Sequence, residues 1–309
     1  MPETARDGDH AIRGVAAGGR ILVLAACTSR LCESARRRHG LWPTATAAVG
    51  RTMTAAALLA LPLKDGGSVT VSIQGDGPLG GVVAAATPRG DVRGYALRPH
   101  TDLPTRPDGK LDVGGAVGRQ GLVRVTRDLG SGRPYVGSAP LVTGEIGEDI
   151  TGYLGRSEQV PSLVALGVLV GRGGRVRAAG GLMIQMLPGA PDDAADRIPE
   201  NVSTLGAISR AIEGGASPEE LAETALAGYG FRPLQAHPLR FHCTCSRARF
   251  RRGLQGLPAR ELEAMLREDG GAEAVCRFCG RRYQVSVADL ESMLVSRPRG
   301  PAPQVSPPP

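Results

Sequence analysis

Four of the chain's six cysteines fall in its last quarter, as C-x-C at Cys243 and Cys245 and as C-x-x-C at Cys276 and Cys279. That crowding constrains the C-terminal region more than any other feature of the sequence. Zinc takes four soft ligands in a tetrahedron, and paired cysteines on two tight turns supply them. In a reducing compartment such thiols point to metal or redox chemistry rather than to a structural disulfide framework. The other two cysteines, Cys27 and Cys32, lie among apolar residues and read as buried, inert thiols. His242 precedes Cys243, but four cysteines already fill a tetrahedral site, so it reads as a neighbour.

The compartment follows from the rest of the chain. The N-terminus, MPETARDGDH, is polar and has no apolar signal core. Apolar runs such as ILVLAAC (21–27) and TAAALLALPL (54–63) are too short to span a bilayer. The expectation is a soluble, cytoplasmic protein with no membrane partner. The 309 residues are 41% hydrophobic, which excludes a wholly disordered chain, and only 3% aromatic, so the core must rest on Val, Leu, Ile and Ala. The formal charge of +7 is carried almost entirely by Arg. It leaves room for acidic partners but fits a scattered solvated surface better. The basic run ARRRH (35–39) reads as a solvated helix face.

Short β-like runs mix with helical pieces from residue 20 to about 187. VTVSIQ (69–74), GVVAAAT (81–87), LVRVTRD (122–128) and GLMIQML (181–187) read as strands. HGLWPTATAAVGRTMTAAALLA (39–60) reads as a helix after Pro43, and EIGEDITGYLGRSEQ (145–159) as another with an acidic start. Strands do not alternate strictly with helices, so the fold class is α+β: an N-terminal mixed domain, a helical linker and a small C-terminal α+β zinc-binding domain. Composition shifts at Pro188. SPEELAETALAG (217–228) carries Ser217 as N-cap, Pro218 at the first helical position and Glu220 closing a capping box. Its apolar face is thin and needs a partner. LPARELEAMLRED (257–269) and SVADLESML (286–294) read as helices of the cysteine region. The expected divisions are 1–10 leader, 11–188 core domain, 189–238 helical linker, 239–296 cysteine domain and 297–309 disordered Pro-rich tail.

Other motifs carry less. GDGPLG (75–80) matches G-x-G-x-x-G, but Pro78 and the β-branched run after it indicate another strand, not the helix a dinucleotide fingerprint must open. Asp76-Gly77 is a hairpin turn signal. NVS (201–203) fits a glycosylation sequon, which has no meaning in a cytosolic chain. No P-loop, nucleophile elbow or HExxH is present, so the chain reads as a non-enzyme.

Oxidation would change the cysteine region in a particular way. Extended, Cys243 and Cys245 have Cα atoms about 6.6 Å apart, near the upper limit for a disulfide, and a small turn brings them into range. Cys276 and Cys279 can pair easily. Bridges within each pair would close tiny loops and add little stability. A metal ion instead ties together segments far apart in sequence, and it could supply on the order of 10 kcal/mol of folding free energy. Exchanging one metal for two local bridges would remove the long-range tie.

At this point the sequence resembles the 33 kDa chaperonin (heat shock protein 33) family of redox-regulated holdase chaperones. The likeness runs over roughly 11–296, in HGLWPTATAAVGRTMTAAALL, IQGDGPLGG, RGYALRP, VTRDLGSGRPYVG, GEIGEDITGYLGRSEQVPS, GGLMIQMLPGA, FHCTCS and CRFCGRRYQV. The resemblance implies a substrate-binding core domain, a metastable linker and a zinc switch. It implies one Zn2+ on Cys243, Cys245, Cys276 and Cys279 in the reduced, inactive form. It further implies disulfides Cys243–Cys245 and Cys276–Cys279 on oxidation, release of zinc, exposure of apolar surface, dimerisation, and ATP-independent holding of unfolding client proteins. The resemblance gives no motif for the client surface. Ala248 stands where many relatives carry an acidic residue, and the Pro-rich tail is extra.

Two other classes compete. A zinc-ribbon nucleic-acid binder would draw on Arg247, Arg249, Arg251, Arg252, Arg281 and Arg282 and show steep salt dependence. The region's few aromatics, Phe241, Phe250, Phe278 and Tyr283, weaken it. A thiol–disulfide oxidoreductase using Cys276 and Cys279 would need C-x-x-C at a helix start in a βαβ setting, whereas CRFCGRRYQV runs into Gly280 and a strand-like segment.

Overall fold

Strand pairing begins almost at the first described residue. The structure, a computed structural model, describes residues 8–268 and 270–296. Elements are numbered along the chain. β1 (His10–Ala16) and β2 (Ile21–Cys27) form an antiparallel hairpin. His10 therefore lies in a strand, and Asp9 accepts the backbone N–H groups of Arg30 and Leu31, capping α1 (Ser29–His39). Ordered structure thus starts inside the expected leader, because Asp9 supplies a cap that no local pattern announces. Residues 1–7 and the Pro-rich 297–309 lie outside the described residues. On α1, Ala35 is buried while Arg37 and Arg38 are exposed, the solvated face expected of ARRRH.

Two antiparallel-dominated sheets share one helix. The five-stranded sheet has the order β10-β1-β2-β9-β8, with β8 (Ser162–Val170), β9 (Val176–Met186) and β10 (Arg232–Pro238). The six-stranded sheet has the order β11-β5-β4-β3-β6-β7, with β3 (Ser68–Gly75), β4 (Val82–Ala86), β5 (Asp91–Ala96), β6 (Gly121–Asp128), β7 (Tyr135–Pro140) and β11 (Arg240–Phe241). Between them runs α2 (Pro43–Ala60), which packs on β2, β8 and β9 and also on β3, β4 and β5. From Thr44 to Ala60 every residue of α2 except Arg51 is buried. A helix apolar on all sides belongs in such a core. Its threonines return their hydroxyls to the chain: Thr52 and Thr54 donate to the carbonyls of Ala48 and Gly50 at 2.8 and 2.9 Å. The segment GDGPLG forms the turn from β3 to β4, as expected, and the Asp76 carboxylate accepts the N–H groups of Arg119 and Gln120 at 2.9 and 3.1 Å.

Two short helices follow, α3 (Val113–Val117), which packs on α2 and β3, and α4 (Gly147–Tyr153), which packs on β8 and β7. The fully buried Asp149 organises the turn before α4. One carboxylate oxygen accepts the N–H groups of Val142, Thr143 and Gly144 at 2.7, 3.0 and 3.2 Å. The other accepts that of Ile146 at 2.8 Å. Ile146 itself has φ 71°, a left-handed conformation that costs a β-branched residue free energy.

Residues 189–238 carry α5 (Ala194–Thr204), α6 (Ile208–Glu213), α7 (Pro218–Ala225) and β10. Ser217 and Glu220 form the expected capping box on α7. The helices are short and punctuated, with Pro199 inside α5. Together they cover the second face of the five-stranded sheet: Ile198, Leu221 and Leu226 pack with Ile12, Val23 and Ile184. β10 was not expected in a helical segment. RPLQAHP shows no alternation, and its two prolines are tolerated because β10 is an edge strand, held only by β1. The chain then crosses to the other sheet's edge, where Arg240 and Phe241 pair in parallel with Asp91 and Val92.

The chain divides into two compact units between Cys243 and Thr244. The second contains α8 (Arg247–Gln255), α9 (Ala259–Glu268), the hairpin β12 (Ala272–Val275) and β13 (Arg282–Val285), and α10 (Val287–Val295). Ser246 and Ser286 cap α8 and α10 through side-chain bonds to Arg249 and Asp289. Its core is small: Leu254, Leu262, Val285, Leu290 and Met293. Among the described residues no helix is long and apolar enough to cross a membrane.

Candidate metal centre

The C-x-x-C pair occupies the turn that joins β12 to β13. Gly280 N–H donates to the Cys276 carbonyl at 2.8 Å, and Cys276 N–H donates to the Arg281 carbonyl at 2.9 Å. Gly280 has φ 71°, a conformation glycine adopts without a steric penalty, so the turn closes tightly and both thiols face the same side. The C-x-C pair lies in the extended stretch between β11 and α8. There Ser246 starts a helix immediately after Cys245 and fixes where that stretch ends.

All four sulfurs come within 4.8 Å of one another, with Cys279 buried and the other three half-buried. Sγ of Cys245 and Sγ of Cys279 are 3.3 Å apart. Four thiolates about 2.3 Å from a tetrahedral metal would be separated by about 3.8 Å, which falls between these two distances. The donor set is all sulfur, so the four residues fit a soft or borderline divalent ion. Among the described residues this is the one grouping of three or more potential ligands. His242 stands outside it, with Nδ1 3.3 Å from the Asp91 carboxylate.

Further groups attend the sulfurs, and the sequence did not announce them. The Tyr283 hydroxyl donates to Cys245 Sγ at 3.0 Å. That hydrogen bond to the sulfur holds the Tyr283 pKa above its ordinary value. The Arg281 side chain lies beside that hydroxyl, and its pKa is raised first by Tyr283 and then by the Cys245 and Cys279 thiols. Phe250 of α8 stacks on Tyr283 with centroids 6.3 Å apart. Within the first unit, Arg93 of β5 donates to Cys243 Sγ at 3.8 Å. Tyr283 lies in β13 and Arg281 just before it, so strand alternation was the available signal, and it did not say which sulfur Tyr283 meets.

Four of the six arginines that a nucleic-acid reading would use are engaged within the protein. Arg247 and Arg251 both pair with Asp289, Arg282 pairs with Glu273, and Arg249 donates to Thr244 Oγ1. Asp289, also bonded by Ser286, has its pKa lowered first by that hydroxyl and then by the two guanidinium groups. The C-x-x-C does not open a helix, which removes the setting that a thioredoxin-like oxidoreductase requires.

Cys27 and Cys32 are different thiols. Cys32 is buried in α1, and its thiol donates to Thr28 Oγ1 at 3.8 Å. Cys27, at the end of β2, donates to the Ala216 carbonyl at 3.7 Å. Burial pushes the Cys27 thiol up to about 12 and raises Cys32 as well. Both are therefore protonated near neutral pH, and the thiolate is the reactive form. On brief iodoacetamide treatment of metal-free native protein, Cys243, Cys245, Cys276 and Cys279 are expected to be alkylated, and Cys32 only after denaturation. Native labelling of Cys32 at a rate matching Cys276 would contradict this.

The sequence profile of the Hsp33 protein family matches residues 9–286. A 33 kDa chaperonin of Symbiobacterium thermophilum is 48% identical over 283 residues, covering 91% of this chain and 96% of its own. The 33 kDa chaperonin of Bacillus subtilis is 42% identical over 287 residues, covering 92% and 98%. The crystal structure of the 33 kDa chaperonin of Thermotoga maritima superposes with a TM-score of 0.85 at 35% identity, covering 93% of this chain and 97% of that one.

Proposed function

The chain belongs to the Hsp33 protein family, and from that premise we propose that it is a cytoplasmic, redox-regulated holdase chaperone that binds unfolding proteins without ATP and acts by binding rather than by catalysis. The observation that carries the redox part is the cluster of four sulfurs within 4.8 Å. Cys243, Cys245, Cys276 and Cys279 hold one Zn2+ in the reduced, inactive form. Bound there, Zn2+ ties the C-x-C segment to the β12–β13 turn. That tie matters because the second unit buries only a handful of apolar side chains and cannot hold its helices together by packing alone.

Oxidation acts on the sulfurs. Within each pair, two thiolates give two electrons to a peroxide, an S–S bond forms, the O–O bond breaks and two hydroxides leave. The resulting bridges are Cys243–Cys245 and Cys276–Cys279. Disulfide sulfur is a poor metal ligand, so the four residues no longer hold the ion. Each bridge closes a short loop and leaves the long-range tie unreplaced.

Loss of that tie loosens the second unit and then residues 189–238. The helices α5–α7 cover Ile12, Val23, Leu182 and Ile184 of the five-stranded sheet. Releasing them uncovers a contiguous apolar face, which serves as client surface and as the contact of an oxidised homodimer. Short helices interrupted by Pro and Gly suit a segment that must melt readily.

The test compares reduced, zinc-loaded protein with protein treated with peroxide or hypochlorite, in the presence of a heat-unfolded client and no nucleotide. The oxidised form is expected to suppress light scattering at near-stoichiometric ratio, to run as a dimer, and to show the two local bridges by peptide mapping. Equal suppression by the reduced form, or bridges across the two pairs, would overturn the reading.

A further inference from the structure

We propose that Tyr283, backed by Arg281, is a brake on the oxidation of Cys245. The proposal deepens the redox reading of the centre and rests on it. Its basis is a contact within the second unit: the Tyr283 hydroxyl donates to Cys245 Sγ at 3.0 Å, and the Arg281 side chain lies beside that hydroxyl. The ring is held independently of its hydroxyl. β13 places Tyr283 opposite Ala274, and Phe250 stacks on it at 6.3 Å with the planes 29° apart.

The chemistry of the step explains why such a donor slows it. A sulfur lone pair attacks a peroxide oxygen, an S–O bond forms, the O–O bond breaks and hydroxide leaves. A second thiolate then attacks the sulfenic sulfur, forming S–S and expelling a second hydroxide. Two thiolates supply the two electrons that reduce the peroxide. Negative charge leaves sulfur in the first step, so a hydrogen bond to the thiolate is strongest before attack and weaker in the transition state. It stabilises the ground state more than the transition state and raises the barrier. A cationic partner behind the hydroxyl strengthens the donor. The contact therefore sets how much oxidant the centre tolerates before it switches. Tyr283 is a positioning residue here, since it acts through Cys245.

The test uses the full chain, reduced and loaded with Zn2+ or Co2+, as wild type, Tyr283→Phe and Arg281→Gln. Phe keeps the stacked ring and loses only the donor. Its thiols are expected to be consumed by limiting hydrogen peroxide about tenfold faster. Its thiolate-to-cobalt charge-transfer band is expected to move to lower energy, which a purely structural role would not produce. Arg281→Gln should shift both readouts in the same direction by less, and it carries the test if the Phe variant does not retain metal. An unchanged rate and band in a metal-loaded Phe variant, with wild type still oxidised, overturns the brake alone. Wild type that keeps its thiols and metal under peroxide overturns the redox reading itself, and the brake with it.

Discussion

Replacing Cys276 with Ser is expected to unfold the second unit and to loosen residues 189–238, while α2 and the two sheets that close over it stay folded. The substitution removes one of four ligands and leaves the other three thiols without a closed site. Metal at a site of four cysteines contributes on the order of 10 kcal/mol to the folding of a small domain. The unit has little with which to replace it. Its core is Leu254, Leu262, Val285, Leu290 and Met293, and its three helices, at 9, 10 and 9 residues, are too short to persist without tertiary contacts. The capping box at Ser286 and the Asp289 pairs with Arg247 and Arg251 lie on the surface and contribute little. Hydrogen exchange should therefore show loss of protection through α8, β12, β13 and α10, together with loss of bound metal. Retained protection in a metal-free variant would mean that the unit folds without its tie.

Asp149→Asn is expected to destabilise the first unit by about 4 kcal/mol, near the upper end for a single substitution. Asp149 is fully buried and accepts four backbone N–H groups. An amide can satisfy the three on one oxygen but turns an NH2 toward Ile146 N–H, so two donors face each other inside the protein. The same contact holds Ile146 at φ 71°, so losing it releases backbone strain by unravelling the turn. Calorimetry should show the transition of the first unit falling by about 10 °C. A shift of less than about 2 °C would show that the loop repacks or that water replaces the carboxylate.

What the sequence disclosed about this molecule divides by range. The cysteine pairs, the capping box at Ser217, the helix that Ser286 opens and the helix after Pro43 are local patterns, and each stands in the structure where its residues predicted. Features made by distant pairing were not readable. α2 reads as helical from its Ala content, but its burial on every side comes from two sheets closing over it. β10 carries no strand signal and exists because β1 offers it an edge. α8 was missed because RARFRRGLQ is Arg-rich and ends near Gly253, a composition with little apolar periodicity. At the centre, the four clustered cysteines were legible and the groups around them were not. Tyr283 and Arg281 meet Cys245 only once the β12–β13 turn and the C-x-C segment converge, and Asp149 reads in sequence as a dipole-favoured acid rather than as the anchor of a loop.

The central claim is that the same chemical event dismantles the metal centre and creates client-holding activity. The most direct measurement titrates reduced, zinc-loaded protein with peroxide and follows two signals in each sample: zinc released to a chromophoric chelator, and suppression of aggregation of a heat-unfolded client. The account predicts that holding activity is absent before oxidation and rises only in samples that have released zinc, reaching its plateau when one equivalent is free. Full activity with zinc still bound, or complete zinc release with no activity at any dose, would contradict it.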